Sequence, residues 1–556
     1  MGTIFLFLLK SATFFSFFMF FLFPARIFAE KLLMLINIFS AKCIGIDAVP
    51  VTVEVDMTAG IGIHLVGLAD VAVKESLLRT VTALQSLGFR IPGKKIVINL
   101  APADLHKKGS GYDLPIAIGI IAASGQKNLP WTGSYIIMGE LGLDGSVRPV
   151  PGALPITEMA RDRGFEGCIL PYESACETAG YGLTKVFGVK TLLDVIKILE
   201  EGPESGFPDI TETAADPDTE RRNTAASLCR HTDDIPDFSG IYGQEGAKRG
   251  LEIAAAGGHN VLMIGPPGSG KSTLAKAMAG ILPPMSAEES LQTSKIYSVA
   301  GRSFSDSMPL TGRPFRAPYH NTSTASLLGG GSESIIPGEI SLAHNGVLFL
   351  DEFCEIPRRV LESLRGPLED RSVTISRLRH KISYPASFML VAATNPCPCG
   401  YYGDRDRCTC TPSQRASYLS RLSGPVMDRI DIHLWISPVD TGKLIDMPSS
   451  EPSRVVAERV AAARAVQKER FIGTGIFTNA EMTGSMTTEY CRLPEECSRF
   501  MKLTVEKMGL SARACHRILK LSRTIADMDG SAEIRLQHLT EASAYRLLDR
   551  RDPGMI

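Results

Sequence analysis

Apolar residues in the N-terminal part of the chain follow the two common periods of secondary structure in turn. Those of residues 51–55 alternate as in a strand, and residues 95–100 form a second strand-like run. Residues 72–87 have helical spacing, and Gly88 follows them as a typical helix end. This order predicts an α+β domain over residues 34–200.

The pattern changes between residues 239 and 440. Wholly apolar runs at 261–264, 347–350 and 388–392 are typical of strands buried on both faces, and helical stretches separate them. This arrangement predicts an α/β domain built on a doubly wound parallel sheet. Residues 453–556 contain four further helical stretches, which predict a helical C-terminal domain.

Two segments fit neither pattern. Residues 201–238 carry ten acidic and three basic side chains with little apolar periodicity, which predicts a solvated linker. Residues 1–33 are an apolar extension of the kind found in signal peptides and membrane spans. The alternative is that translation starts at Met34. We favour it because the motifs described below need cytosolic ATP, so we expect a cytoplasmic protein without a membrane partner.

Composition narrows the possible functions. The 556 residues are 44% hydrophobic and 21% charged, which excludes a wholly disordered chain. The 59 basic and 60 acidic side chains give a net charge of -1. Any binding to nucleic acid must therefore depend on a local basic patch.

A phosphate-binding loop follows the apolar run at 261–264 and leads directly into a helical stretch. Its glycines let backbone amides turn toward phosphate groups, and the helix N-terminus adds positive potential. Lys271 is expected to reach the β- and γ-phosphates of ATP, and the Ser272 hydroxyl to bind Mg²⁺. The predicted nucleotide-binding residues are Gly265, Pro266, Pro267, Gly268, Ser269, Gly270, Lys271, Ser272 and Thr273.

Polar residues end the next two apolar runs. Asp351 is predicted to hold Mg²⁺, and Glu352 to take a proton from the attacking water. Asn395 follows the third run, where its amide can orient that water between Glu352 and the γ-phosphate. Together these residues predict an ATP hydrolase.

Three arginines are candidates for stabilising charge on the transferred phosphoryl group. Arg429 is predicted to act as a finger from a neighbouring subunit, and Arg421 is a rival for that role. Arg513 starts a C-terminal helix and is expected to contact the γ-phosphate when the helical region closes.

Four of the twelve cysteines lie close together as two Cys-x-Cys pairs: Cys397, Cys399, Cys408 and Cys410. Four thiolates can bind Zn²⁺ tetrahedrally, although this spacing is tighter than the usual Cys-x₂-Cys. The sequence therefore leaves two alternatives, a structural zinc site and free thiols in a reducing compartment.

Taken together, these motifs resemble those of the magnesium-chelatase-like AAA+ ATPases, and specifically of the ComM/YifB competence-protein family. The resemblance covers residues 34–551. Besides the loop and the acidic pair, it rests on residues 98–104, 112–119, 312–319 and 395–402.

The resemblance implies an AAA+ fold with a C-terminal helical lid. By this resemblance, Asn395 matches the sensor-one asparagine of the family. Arg429 matches its arginine finger, and Arg513 matches its sensor-two arginine. It also implies a homo-oligomer, a hexameric ring. Such a ring would be a helicase that moves DNA and promotes branch migration when incoming DNA recombines in natural transformation.

Residues 372–384 are predicted to form a β-hairpin with a basic tip. In ring ATPases of this branch such a hairpin points into the central pore. Arg377, Arg379 and Lys381 would contact DNA phosphates there without reading sequence. The glycine loop 329–331, with Arg313, Arg316 and His320, is expected to belong to an insert that also faces the pore.

The family resemblance also implies a Lon-protease-like fold for residues 34–200. A serine–lysine protease needs a nucleophile and a base. Ile116 occupies the serine position of the Lon pattern, and Leu154 and Pro155 fall near the lysine position. None of them has the required chemistry, so the domain is predicted to be catalytically degenerate.

Three classes of function therefore compete: a DNA-remodelling motor, a magnesium-chelatase motor subunit that drives metal insertion into a porphyrin, and a Lon-type protease. The missing nucleophile and base disfavour the protease. A dedicated chelatase motor would not need a fused Lon-like domain, which favours the DNA motor.

Overall fold

A computed structural model of the chain describes residues 35–67, 70–107, 109–213, 235–302, 310, 312–331, 335–377, 380–403, 406–422, 424–438, 450–546 and 548. The predictions for residues 1–33 and for Arg379 fall outside these ranges. No helix in the described ranges is both long and apolar enough to cross a membrane. The chain divides into two compact units. The first contains residues 1–220 and 297–309, and the second contains residues 221–296 and 310–556.

The first unit is built on a seven-stranded mixed sheet in the order β3-β4-β2-β1-β5-β8-β9, with a separate pair β6-β7. Its strands are β1 Ile36–Ile44, β2 Asp47–Thr58, β3 Gly62–Val66, β4 Lys95–Ala101, β5 Tyr135–Ile137, β6 Glu140–Leu141, β7 Val147–Arg148, β8 Gly167–Pro171 and β9 Lys185–Val189. Its helices are Val71–Ser86, Asp113–Ala123, Ala153–Asp162, Tyr172–Cys176, Leu192–Glu201, Gly202–Glu204 (3₁₀) and Ile210–Thr213. The predicted alternation is confirmed, because Val51, Val53 and Val55 are fully buried on one face of β2.

The structure differs from the predicted linker at its start. Residues 201–213 continue the first unit, and Ile210 is buried in its core. Asp209 accepts hydrogen bonds from the backbone N–H groups of Val186 (3.0 Å) and Thr211 (3.0 Å). Acidic composition suggested a solvated segment, but this carboxylate binds backbone donors beside β9.

The second unit contains a five-stranded sheet in the order β11-β14-β17-β10-β18. Each neighbouring pair in it is parallel, and β17 lies between the strand that precedes the phosphate-binding loop and the strand that precedes the acidic pair. Its strands are β10 Val261–Ile264, β11 Phe315–Arg316, β14 Val347–Leu350, β17 Met389–Thr394 and β18 Ile432–Trp435. The predicted parallel sheet is confirmed.

Shorter strand pairs and helices complete the N-terminal part of this unit. The pairs are β12 Gly329–Gly330 with β13 Ile336–Pro337, and β15 Ser372–Arg377 with β16 His380–Pro385. The helices are Phe238–Gly240 (3₁₀), Glu245–Gly257, Lys271–Gly280, Ala287–Val299, Thr324–Leu328, Glu339–Leu342, Phe353–Glu355 (3₁₀), Arg358–Ser363, Arg365–Asp370, Pro412–Leu419 and Gly424–Met427. The helix Ala287–Val299 runs from residues of the second unit into residues of the first.

The C-terminal region is helical, as predicted. Its helices are Ser453–Arg470, Asn479–Glu481 (3₁₀), Gly484–Tyr490, Glu495–Met508, Ala512–Met528 and Leu536–Ala544. Ile518, Leu521 and Ile525 share one hydrophobic core with Leu251 and Val261 of the sheet-bearing part. This region shares the second unit with residues 239–296 and 310–440.

A buried carboxyl group lies in the first unit where residues 297–302 return to it. The Ser298 hydroxyl donates a hydrogen bond to Glu177 (2.7 Å), and the backbone of Gly152 donates to the Ser298 carbonyl (3.0 Å). Glu177 is 7% exposed. Burial raises the pKa of Glu177 to about 7, and the Ser298 hydrogen bond opposes that rise.

We predict that this carboxyl group makes the first unit less stable as pH rises. The folded-state pKa of Glu177 lies above its ordinary value. The contribution of this group to the stability of the first unit is therefore fully present below about pH 4.5 and is lost as pH rises through about 7. Glu177→Gln keeps a neutral acceptor for Ser298, so at about pH 8 its free energy of unfolding should exceed that of the parent by up to about 3 kcal/mol.

Scanning calorimetry between about pH 4.5 and pH 8 checks this. Glu173→Gln, on the exposed side of the same short helix, is the control and should follow the parent. An equal pH dependence in all three proteins would contradict the assignment.

Candidate functional sites

The phosphate-binding loop is held between two strands of the parallel sheet. Gly265 follows β10, and its backbone N–H donates to the Thr394 carbonyl at the end of β17 (3.2 Å). Gly268 (φ +74°) and Gly270 (φ +87°) adopt left-handed conformations that favour glycine. The loop therefore turns sharply into the helix Lys271–Gly280 and points that helix N-terminus at the space above the sheet.

Lys271 links this loop to the predicted sensor asparagine. Its ammonium donates to the carbonyls of Gly265 (2.8 Å) and Pro266 (2.9 Å), and lies 3.4 Å from the Asn395 side-chain oxygen. Burial lowers the pKa of Lys271, whereas Asp351 raises it. The lysine thus provides a largely buried positive charge at the mouth of the loop.

The acidic pair lies at the same edge of the sheet. The Ser272 hydroxyl donates to Asp351 Oδ2 (3.0 Å), and Asp351 Oδ1 accepts from the backbone N–H of Glu352 (2.8 Å). A hydroxyl and a carboxylate oxygen are hard ligands of the kind that Mg²⁺ prefers, so this donor set fits the predicted magnesium site.

Glu352 has a contact that sequence analysis missed. Its Oε2 lies 2.8 Å from Nδ1 of His320, and its own backbone is left-handed (φ +49°). His320 was expected only on a pore-facing insert. Because the two residues are far apart in the chain, no local pattern predicts their contact. The histidine fixes the direction of the carboxylate that is predicted to act as the base.

The structure therefore brings five predicted site residues together at one edge. Strands β10, β14 and β17 are parallel, so the residues that follow them meet at their carboxyl ends. This cluster consists of Lys271, Ser272, Asp351, Glu352 and Asn395.

Arg429 lies at the opposite, amino-terminal edge of the same sheet. Its carbonyl accepts from the side chain of Asn260, the residue before β10 (2.8 Å). Its guanidinium is 96% buried and contacts Glu369 and the Pro425 carbonyl. Burial lowers the pKa of Arg429, and Glu369 raises it. The predicted finger cannot reach the Lys271 cluster of its own chain, because the sheet separates them.

Arg513 also lies at the amino-terminal edge. It is largely exposed, and its guanidinium is 3.8 Å from Asp428, next to Arg429 in the sequence. Its guanidinium lies away from the Lys271 cluster of its own chain, and its predicted contact with a γ-phosphate stays a prediction. Arg421 occupies a different place, in an exposed ion pair with Glu355 (3.0 Å).

Arg429 and Arg513 line one cavity of about 670 Å³. Basic side chains outnumber carboxylates along its walls, so it favours anions. The basic residues are Arg313, Arg371, Arg429, Arg464, Arg513, Arg517 and Lys520, and the acidic ones are Glu289, Glu369, Asp431 and Glu481.

The predicted hairpin is present. Strands β15 and β16 are antiparallel, with Ser376 opposite Lys381 and Arg377 opposite His380. Lys381 is exposed, and the backbone of Arg377 ends β15. Arg379, predicted to lie at the tip, is outside the described residues.

Arg313 and Arg316 both pair with carboxylates of the second unit. Arg316 is part of β11 in the main sheet and pairs with Glu339 (2.7 Å). Arg313 binds both carboxylate oxygens of Glu289 (3.0 Å each). That they face the pore of a ring stays a prediction.

The four clustered cysteines converge, as zinc binding requires. Their sulfur atoms all lie within 4.8 Å of one another: Cys397, Cys399, Cys408 and Cys410. They form the only such group of possible metal ligands among the described residues. The backbone N–H of Tyr401 lowers the pKa of Cys399, which favours a thiolate.

The residues at the positions predicted to match a protease dyad are buried in the first unit. Ile116 and Leu154 are fully buried, and Pro155 is buried beside them. The nearby carboxylate of Asp113 is paired with Arg79 (2.9 Å). These positions present neither a nucleophile nor a base to solvent, as their residue types predict.

Three family descriptions match successive parts of the chain. "Magnesium chelatase, subunit ChlI" matches residues 237–444. "Subunit ChlI of Mg-chelatase" matches residues 53–174, and "Magnesium chelatase, subunit ChlI C-terminal" matches residues 450–546. The matches thus cover parts of both compact units.

Several curated proteins are similar over most of their length. The chain is 42% identical to YifB of Salmonella typhimurium over 512 residues, which is 91% of this chain and 96% of that protein. YifB of Escherichia coli has the same identity and coverage. Competence protein ComM of Haemophilus influenzae is 41% identical over 517 residues, with 92% and 97% coverage.

Proposed function

Because the chain belongs to the ComM/YifB family of magnesium-chelatase-like AAA+ proteins, we propose that it is an ATP-driven ring motor acting on DNA. Its expected activity is branch migration, which would promote integration of incoming DNA during recombination. The observation that carries the proposal is the separation of site residues between the two edges of one parallel sheet. The relative named as a competence protein supports the DNA substrate.

In the proposed hydrolysis, the cluster of site residues at the carboxyl ends of the strands binds the triphosphate of ATP. Backbone amides of the loop and the Lys271 ammonium hold the phosphates, and Ser272 and Asp351 hold Mg²⁺. When bound, the ion supplies charge neutralisation on the phosphate oxygens. Glu352 accepts the proton of the attacking water, while Asn395 positions that water.

Arg429 and Arg513, at the amino-terminal edge of the sheet, complete the ATP site of a second copy. Neither Arg429 nor Arg513 lies near the Lys271 cluster of its own chain, yet both line an anion-favouring cavity. In a ring, this edge of one subunit can face the carboxyl edge of the next. Both arginines would then stabilise charge on the neighbour's γ-phosphate, so the ATPase would require an oligomer.

A magnesium-chelatase motor subunit is the second candidate, since the matching families carry that name. The two functions differ in their stimulus. A DNA motor should hydrolyse ATP faster when DNA is added, and a chelatase motor should not. A branch-migration assay on labelled three-strand DNA with and without ATP tests the proposal. Absence of ATP-dependent strand displacement, together with no DNA stimulation, would favour the chelatase.

We predict that Glu352→Gln binds ATP but barely hydrolyses it, because the base is removed while Asp351 and Lys271 remain. Filter binding of labelled ATP and phosphate release measure the two steps. Lys271→Ala, by contrast, should weaken nucleotide binding itself. Hydrolysis by Glu352→Gln at the parental rate would show that Glu352 is not the base.

We predict that Arg513→Ala leaves ATP binding intact and lowers turnover. Its side chain is exposed, so the variant should fold normally. Arg429→Ala should lower turnover on the order of 10³-fold, and its folding must be checked because it leaves Glu369 unpaired. Arg421→Ala is the control on an exposed arginine and should hydrolyse ATP like the parent. If only Arg421→Ala is impaired, Arg421 is the finger.

We predict that replacing Arg377, Arg379 and Lys381 with Ala weakens binding to every DNA sequence alike. The slope of log affinity against log salt should flatten by about one for each DNA phosphate that the variant no longer neutralises. Basal ATP hydrolysis should persist, while DNA stimulation should disappear. The control replaces Arg454 and Arg499, which are exposed on C-terminal helices. Unchanged salt-dependent binding by the hairpin variant would place the DNA-binding surface elsewhere.

A further inference from the structure

The four-cysteine cluster has the dimensions of a metal–thiolate tetrahedron. Its Sγ–Sγ distances include 3.3 Å between Cys397 and Cys399, 3.7 Å between Cys399 and Cys408, and 3.9 Å between Cys397 and Cys408. A Zn–S bond of about 2.3 Å gives a tetrahedron whose sulfur atoms are about 3.8 Å apart. A disulfide would instead bring two sulfur atoms to about 2.0 Å.

We propose that these four cysteines bind one structural Zn²⁺ and that this metal site positions the catalytic edge. Soft thiolates favour zinc over Mg²⁺, and a tetrahedral four-sulfur set is typical of zinc or a single iron. Four protein ligands leave no open coordination position, so the role of the metal is structural. The metal assignment is independent of the proposed function, whereas its influence on ATP turnover depends on it.

The cluster is joined directly to the nucleotide site. Cys397 lies two residues after Asn395, and the backbone N–H of Gly400 donates to the Cys397 carbonyl (2.9 Å). A Cβ atom added at Gly400 would lie 2.8 Å from Cδ of Pro267 in the phosphate-binding loop, and its φ of +84° also favours glycine. The segment that the metal would fold thus packs against both the sensor residue and the loop.

The same segment is also anchored on its other side. The ring of Tyr402 makes an edge contact with Trp435 of β18, with ring centroids 6.4 Å apart. The Arg415 guanidinium lies over the Tyr402 ring at 4.1 Å. The helix Pro412–Leu419 that carries Arg415 begins two residues after Cys410. The metal site would therefore fix the distance between the end of β17 and this helix.

Elemental analysis of the purified full-length protein tests the metal assignment. We expect about one zinc per chain, and Co²⁺ substitution should give the intense visible absorption of a tetrahedral thiolate site. Cys410→Ser should lose the metal. Cys176→Ser, an exposed cysteine of the first unit, is the matched control and should keep it. One iron per chain, or no metal in protein purified without chelators, would overturn the assignment.

A second measurement separates the positioning role from the metal itself. Gly400→Ala should keep its zinc yet lower ATP turnover, because the added methyl group displaces Pro267. Cys410→Ser should lower turnover together with its metal content. If Cys410→Ser loses zinc but hydrolyses ATP normally, the positioning role is wrong. If the zinc-loaded parent has no ATPase activity, the proposed function fails and the metal assignment stands.

Discussion

In the parallel sheet of the second unit, the residues that follow the strands and the residues that precede them lie at opposite edges. The organisation of the second unit depends on this separation. All five strands of its sheet run in one direction, so loops after the strands meet at one edge and the residues before them at the other. The first edge gathers Lys271, Asp351 and Asn395. The second gathers the arginines. The proposed ATP site needs both sets, so it would be complete only where two copies meet.

Buried polar contacts fix the amino-terminal edge. Asp431 accepts from the backbone of Asn260 (3.1 Å), lies 3.4 Å from His259, and pairs with Arg517 of the C-terminal helix Ala512–Met528. Although burial raises the pKa of Asp431, Arg517 and His259 lower it far below its usual range. Breaking such a buried pair costs about 3–5 kcal/mol. The C-terminal helices are thereby tied to the segment between Arg429 and β18.

Local patterns predicted much of this fold and of its carboxyl edge. Strands β10 and β14 are wholly apolar, β17 is apolar up to its last residue, Thr394, and the residues after these strands have recognisable spacing. The flanking strands were missed because β11 has two residues and β18 contains the buried His433. The arginine cavity depends on tertiary contacts that no local period encodes. The cysteine spacing suggested a metal site, but the approach of Gly400 to Pro267 requires the folded chain.

The central claim, that one copy completes the catalytic site of the next, is tested most directly by mixing two inactive variants. Lys271→Ala cannot hold the phosphates of ATP. Arg429→Ala cannot stabilise the charge on the γ-phosphate bound by its neighbour. In randomly mixed rings, about one interface in four joins an intact loop to an intact arginine. We expect the mixture to recover ATP hydrolysis in proportion to these interfaces. No recovery from two folded, co-assembled variants, or full activity of an isolated monomer, would contradict the account.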